Sequence, residues 1–465
     1  MDITLDLTGV GSLQNPLLVT WYMIAHLYGW VLILITIIWG SWEGWKEWRR
    51  NLFDAKIKYT LLAIDIPKNI EQSPKAVEHV FSHIYGIYKK GTLKARYIEG
   101  YTPYNISFEI VSIEGYIQFL IRTPSRFRDL IEAAVYAQYP DAEITEVQDY
   151  IDNVPKPLEY PNDEWDLWGT EFRFSNKNVY PIRTYPEFEH PLTQKFLDPM
   201  ASFLEMLSRI RPGEQLWFQI LISPAPSSWR EQGLRIIRKL IGKAEPAKKG
   251  IDLFYFPGQI AKGLSESITA SIIPPSEMDR AKQKTQERQW PSLMQHLSPD
   301  ERGIVEAIGY KIAKLGFFTK IRMIYMGKKE VFDKTRVNDA IVGAVKQFNT
   351  LNLNGFEVHK KARTTVHYLF LNYRKKWRQR RILWGYRYRS MKRGWTKLIL
   401  NTEELASLWH FPVAEVKAPL VQKTISKRAV PPTALPVEST FTHSASIIKG
   451  APIKSGPPVN LPFVK

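Results

Sequence analysis

Twenty-three consecutive residues, Leu17 to Trp39, carry no Asp, Glu, Lys or Arg, and no other feature restricts the chain so strongly. A helix needs roughly 20 such residues to cross the hydrocarbon layer of a bilayer. The stretch LLVTWYMIAHLYGWVLILITIIW therefore predicts a transmembrane helix over 17–40. Trp39, Trp42, Trp45 and Trp48 follow at three-residue spacing, the pattern of an interfacial aromatic belt. A cleaved signal peptide would need a basic start, yet Asp2 and Asp6 precede the stretch without any Lys or Arg, so a retained anchor is expected. Lys46, Arg49, Arg50, Lys56 and Lys58 come directly after it. The positive-inside rule then leaves residues 1–16 outside and puts the body in the cytoplasm, with 41–55 as a juxtamembrane segment. The expectation is a single-pass protein of the cytoplasmic (inner) membrane.

The rest of the chain predicts an α+β body. Lys56 to Asp65 alternates as a strand, and Ser73-Pro74 opens a helix with Val77, Val80, Phe81 and Ile84 on one face. ISFEIVS and YIQFLIR flank Glu114-Gly115, a hairpin signature. Thr123-Pro124 opens a second helix with Phe127, Leu130, Ile131, Ala134 and Val135 as its stripe, and Glu143 to Val147 closes the unit. The order is βαββαβ, a ferredoxin-like unit over 56–150. An acidic and aromatic connector covers 151–178. A second such unit is expected over 179–410, from the strands Val179–Tyr185, Gln215–Ser223, Phe317–Met326 and Lys397–Leu400, with insertions at about 229–315 and 357–396. From 411 to 465 nine prolines, seven of them from Pro431 onward, punctuate a segment without apolar periodicity, which reads as an extended Pro-rich tail.

The net charge of +18 favours acidic partners, whether nucleic acid, anionic lipid or an acidic protein face. The absence of cysteine excludes disulfides, thiolate zinc sites and cysteine nucleophiles. A phosphate-binding loop needs an upstream glycine before Gly-Lys-[Ser/Thr]. Gly242-Lys243 and Gly327-Lys328 lack it and run on into Ala244 and Lys329. Asp65 after LLAI ends a strand without the loop that a magnesium site would need. His79 and His83 stand four apart on a helix with no third ligand indicated, so they read as surface residues. Asp163, Glu164, Asp166 and Glu171 lie among Trp165 and Trp168 and read as a solvated connector. No catalytic residue, metal or cofactor is expected, and the chain is not expected to be an enzyme.

The strongest signal is Arg374 to Lys397, RKKWRQRRILWGYRYRSMKRGWTK, with eleven Lys or Arg, no acid, and interleaved aromatics. Cations neutralise phosphates, and planar rings stack on bases or lie at a lipid interface. The candidate contact residues are Arg374, Lys375, Lys376, Trp377, Arg378, Arg380, Arg381, Trp384, Arg387, Arg389, Lys392 and Arg393. Nucleic acid, an anionic membrane surface, and a structural or partner contact all stay open as their use.

The segments SFEIVSIEGYIQFLIRTPSRFRDLIEAAVYAQYPDAEITEVQDY, DPMASFLEMLSRIRPGEQLWFQILISP, FFTKIRMIYMGKKEVFDKTRVNDAIVGAVKQFNTLNLNGF and LNTEELASLWHFP occur in that order. Together they resemble the N-terminal membrane module of type IV secretion or conjugation-type ATPases, from about Lys56 to Pro436. The motor of that family, with its phosphate-binding loop, would begin near the point where this sequence runs out. The resemblance implies a noncatalytic anchoring subunit that docks a separately encoded motor ATPase for DNA or protein translocation, as a homo-oligomer. It supplies no catalytic residues. The other reading is a self-sufficient membrane-tethered binder of nucleic acid or anionic lipid.

Overall fold

Period-two alternation in the strands presents apolar side chains to two faces at once, and both faces are covered. The computed structural model describes residues 29–67, 72–188, 197–242, 297–395 and 397–413. In chain order the main elements are α1 (Gly29–Ala55), β1 (Tyr59–Asp65), α2 (Lys75–Ile84), β2 (Ile106–Ile113), β3 (Tyr116–Pro124), α3 (Arg128–Tyr136), β4 (Glu143–Glu146) and β5 (Trp165–Phe174). Then follow α4 (Met200–Ser208), β6 (Glu214–Pro224), α5 (Ser228–Leu240), α6 (Pro299–Ala313), β7 (Gly316–Lys328), α7 (Lys334–Lys346), β8 (Phe356–Val358), α8 (Leu371–Arg387), β9 (Leu398–Asn401) and α9 (Thr402–Leu408). The strands join in one nine-stranded sheet in the order β4-β1-β3-β2-β6-β7-β5-β8, with β9 paired to the start of β7, and every pairing is antiparallel.

The expected pair of small ferredoxin-like units is thereby corrected. β2 pairs with β6 along eight residues, from Ile106 opposite Ile222 to Ile113 opposite Gln215, so a single sheet runs through both halves. An unpaired edge leaves N–H and C=O groups without partners, and this pairing closes two edges together. Strand positions differ as well. Val179–Tyr185 forms no strand, and the expected connector supplies β5 instead. Phe356–Val358 is the strand beside β5, whereas β9 lies against the first residues of β7.

The membrane-spanning expectation is corrected too. Among the described residues no helix is long and apolar enough to cross a membrane. The described part of α1 is uncharged only from Gly29 to Trp42, and Glu43, Lys46, Glu47, Arg49, Arg50 and Asp54 fill the rest. That uncharged stretch falls short of the roughly 20 residues a span requires. The placement as a single-pass inner-membrane protein, N-terminus outside, loses its support with it. Residues 17–28 of the predicted span lie outside the described residues, as do 243–296 of the first insertion and the tail from 414. Phe411, which opens that tail, packs on Phe119, Tyr139 and Trp409.

One face of the sheet carries Leu62, Phe108, Phe119, Phe218, Ile220 and Met323 beneath α2, α3, α4, α7 and α9, as one large buried cluster. The hairpin between β2 and β3 turns on Glu114 (φ 54°) and Gly115 (φ 92°), the two left-handed positions that match the strand twist. A Cβ on Gly115 would also crowd the Ile210 and Ser208 carbonyls, at 3.0 and 3.1 Å.

The second face is different, because a row of polar side chains crosses its centre. Glu109 stands opposite Gln219, Gln219 opposite Arg322, and Arg322 opposite Glu171, across β2, β6, β7 and β5. All four are buried. Gln219 Nε2 donates to Glu109 Oε1 (2.9 Å), and Arg322 donates to Glu171 Oε1 (2.9 Å) and Gln219 Oε1 (3.3 Å). α8 closes over this row. Arg322 donates to the carbonyls of Gly385 (2.8 Å), Ser390 (2.6 Å) and Arg393 (2.6 Å), while Arg389 donates to both oxygens of Glu109 (3.0 and 3.1 Å). Gly394 (φ 104°) passes so close that a Cβ would lie 2.0 Å from Glu171 Oε1.

Burial by itself raises the Glu109 carboxyl. The Arg389 cation and hydrogen bonds from Arg389, Ser107 and Tyr150 more than reverse that and hold it at about 2. A carboxylate depressed in the fold adds stability above its unfolded value near 4.5, and that stability drains away as pH falls towards 2. Glu109→Gln should therefore flatten the acid limb of the urea-unfolding stability profile in that window. Arg322→Leu, which strands Glu171 in the interior, should cost about 3–5 kcal/mol by the same measurement.

Candidate nucleic-acid interface

α8 divides its side chains between the sheet and solvent. Gln379, Ile382, Leu383 and Tyr386, at i, i+3, i+4 and i+7, form the buried stripe. Gln379 donates to Asp166 and to the Leu167 carbonyl (2.9 Å), and Tyr386 packs on Trp217. The opposite stripe is Tyr373, Trp377 and Arg381, four residues apart.

Most of the predicted cations face inward or are held by a partner. Arg378 donates to the carbonyls of Arg363 (3.1 Å) and Thr365 (2.7 Å), and Arg380 to those of Tyr160 (2.7 Å) and Leu158 (2.7 Å). Arg387 reaches the Ile151 carbonyl and Asp152. Arg389 is buried on Glu109 and Asp149. Arg374 donates to the His367 (3.2 Å) and Leu369 (3.4 Å) carbonyls. Lys375 pairs with Asp166 (2.9 Å), and Lys392 with Asp54 (3.1 Å) and Glu47 (3.4 Å) of α1. Asp166 and Glu171 of the expected solvated connector thus hold the basic run. Arg393 lies over Trp384 (4.7 Å), which also packs against Tyr388. Lys376 is exposed.

What remains outward is a ladder of planar groups. The Arg381 guanidinium sits 4.8 Å from the Trp377 ring and 4.5 Å from the Trp395 ring. His359 stacks on Trp395 at 5.1 Å and 14°, and Lys361 Nζ lies 5.6 Å from that same ring. Burial, helped by the Arg173 cation, pushes the His359 imidazole below its ordinary value, so it stacks uncharged at neutral pH. Trp377 is 48% exposed, and Lys360, Lys361 and Lys376 are exposed around the ladder. Beside it, Tyr368 (φ 73°) and Phe370 (φ 57°) hold a left-handed backbone and are 85% and 78% exposed.

His359, Lys361, Tyr368, Phe370 and Tyr373 did not stand out in the sequence. The run HKKAR at 359–363 was the available signal, but its distance in sequence from Trp395 concealed the stack. His79 and His83 are both exposed on α2, and among the described residues no group of three or more His, Cys, Asp or Glu could hold a metal.

Residues 66–424, which include every described strand except β1, match a family described as a domain of unknown function, DUF8128. The chain belongs to that family. No curated protein matches it. The DUF8128 match therefore takes in both the polar row and the whole ladder.

Arg380 and Arg381 are neighbours with opposite duties, which gives a test of the geometry. Arg380→Ala should lower unfolding stability by about 1–3 kcal/mol through its two lost carbonyl bonds. Arg381→Ala should change stability by only about 0.5 kcal/mol, as for an ordinary surface site. It should instead increase acrylamide quenching of tryptophan fluorescence, since it uncovers Trp377 and Trp395.

Proposed function

We propose that this chain docks nucleic acid, holding a single strand across Trp377, Arg381 and Trp395 and presenting it to a translocation motor. The observation that carries this is the outward cation–ring ladder along a helix whose other cations, Lys376 apart, are already engaged. Bases have planar faces that stack on indole and guanidinium without regard to sequence, and the lysines around the ladder suit the phosphates. A duplex hides those faces, so single strands are preferred. The translocation setting rests on the family resemblance carried by the ordered segments from 107 to 412.

Few cations are free to meet phosphate, so the salt dependence should be shallow. With Lys361, Lys376 and Arg381 engaged, the log–log slope for a single-stranded oligonucleotide should be about −2, each cation adding about 0.7. In fluorescence anisotropy, Lys376→Ala should reduce the slope by about 0.7, and Trp377→Ala should weaken binding by about 1–3 kcal/mol with the slope unchanged. Equal affinity for duplex, or indifference to Trp377→Ala, would remove this reading. Preferential sedimentation with anionic vesicles would assign the face to lipid instead.

A second reading, docking of the motor at the outer end of α8, is favoured by the exposed run Tyr368, Leu369, Phe370 and Leu371. Large apolar side chains held outward on a left-handed backbone suit a protein contact. Phe370→Ser should leave strand binding intact if that knuckle serves the motor, and should weaken it if the knuckle holds bases.

A further inference from the structure

A concave site, lined by none of the ladder residues, lies where the C-terminal end of α1 meets the segment after α2. It encloses about 550 Å³, within the range of small-molecule sites. Five rings line it: Phe53, Tyr88, Tyr101, Tyr104 and Phe127. They are braced edge to face against one another, with Phe53–Tyr101 at 5.5 Å, Tyr101–Tyr104 at 6.1 Å and Tyr104–Phe127 at 5.2 Å. Tyr101 also donates its hydroxyl to the Lys89 carbonyl (3.0 Å), and Tyr88 stacks on Tyr85. The walls are therefore built before any ligand arrives.

Charge completes the description. Lys89, Lys90 and Arg126 line the same cleft, and Glu99 is its one lining carboxylate. Among the described residues none of these three cations is ion-paired. Arg126 instead lies over Tyr104 (5.2 Å) and Phe127 (4.7 Å) and donates to the Tyr104 hydroxyl (2.9 Å). A neutral aromatic molecule would leave three cations unanswered, and a bare anion would leave five rings unused. We propose that this cleft binds a nucleoside phosphate, with its base among the tyrosines and its phosphate on Arg126, Lys89 and Lys90.

The site shares no residue with the ladder, so each can be altered without touching the other. The nucleoside phosphate could be a free mononucleotide or the terminal nucleotide of a strand. Calorimetric titration of the full chain with adenosine monophosphate should saturate, with adenosine and inorganic phosphate each weaker by about tenfold or more. Arg126→Gln should cost about tenfold, and Lys90→Gln provides a second cation variant should the first fail to fold. Gly86 lines the cleft, and a Cβ there meets nothing within 4 Å, so Gly86→Leu adds bulk at the cleft wall from an unobstructed position and should also weaken the nucleotide.

Competition by a 5′-phosphorylated oligonucleotide, retained in Trp377→Ala, would identify a strand end as the source. Its absence would identify the free nucleotide. Trp377→Ala should leave binding of the monophosphate unchanged whether or not it affects strands. No saturation, inorganic phosphate bound as tightly as the nucleotide, loss on Trp377→Ala, or indifference to all three cleft variants would overturn the proposal.

Discussion

The polar row Glu109–Gln219–Arg322–Glu171 is the constraint on which the second face of the sheet depends. Four adjacent strands bring these side chains into register, so they must be buried together or not at all. Buried charges are tolerable only when paired and hydrogen-bonded. The segment that covers them must therefore bring cations, free carbonyls and room for a close approach. Residues 385–395 bring all three: Arg389 for Glu109, the carbonyls of Gly385, Ser390 and Arg393 for Arg322, and Gly394 with the Trp395 N–H for Glu171. The basic run is thus a structural lid first, and whatever it binds is bound by the residues left over.

That division explains why the outer surface is narrow. Arginine suits both duties, since its planar fork bonds several carbonyls at once and its flat face stacks on indole. Arg378, Arg380, Arg387 and Arg389 use the fork, whereas Arg381 and Arg393 use the face. The left-handed backbone at Tyr368 and Phe370 stands at the entry to the same helix, with Arg374 bonded to the carbonyls of His367 and Leu369. Strained, exposed aromatics are uncommon unless something is meant to touch them.

Remote ion pairs fix the rest of the chain to this frame. Lys311 of α6 and Glu404 of α9 are both wholly buried and meet at 3.0 Å, and Lys311 also donates to the Tyr180 carbonyl. Burial drives the Lys311 ammonium down and the Glu404 carboxyl up, so the contact holds only because each answers the other. His410 and Asp198, 2.9 Å apart and buried, tie residues after α9 to the start of α4. Glu404 also completes a capping box with Asn401, so one carboxylate serves both a local helix start and a distant lysine.

Local chemistry was legible in the sequence by itself. The Glu114-Gly115 pair determined the hairpin because its two residues can adopt the left-handed turn, and Val77, Val80, Phe81 and Ile84 determined the buried face of α2 by spacing alone. The density of cations between Arg374 and Lys397 was equally plain, but not their direction. β5 was missed because Asp166 and Glu171 look solvent-bound until Lys375, Gln379 and Arg322 are seen holding them. Likewise, nothing local in β2 or β6 distinguishes an edge strand from a central one, so only the tertiary structure could fuse two halves into one sheet. Which arginines face in, and which lie over indole, was decided there too, because a side chain's partner is set by whichever strand or loop the fold brings beside it.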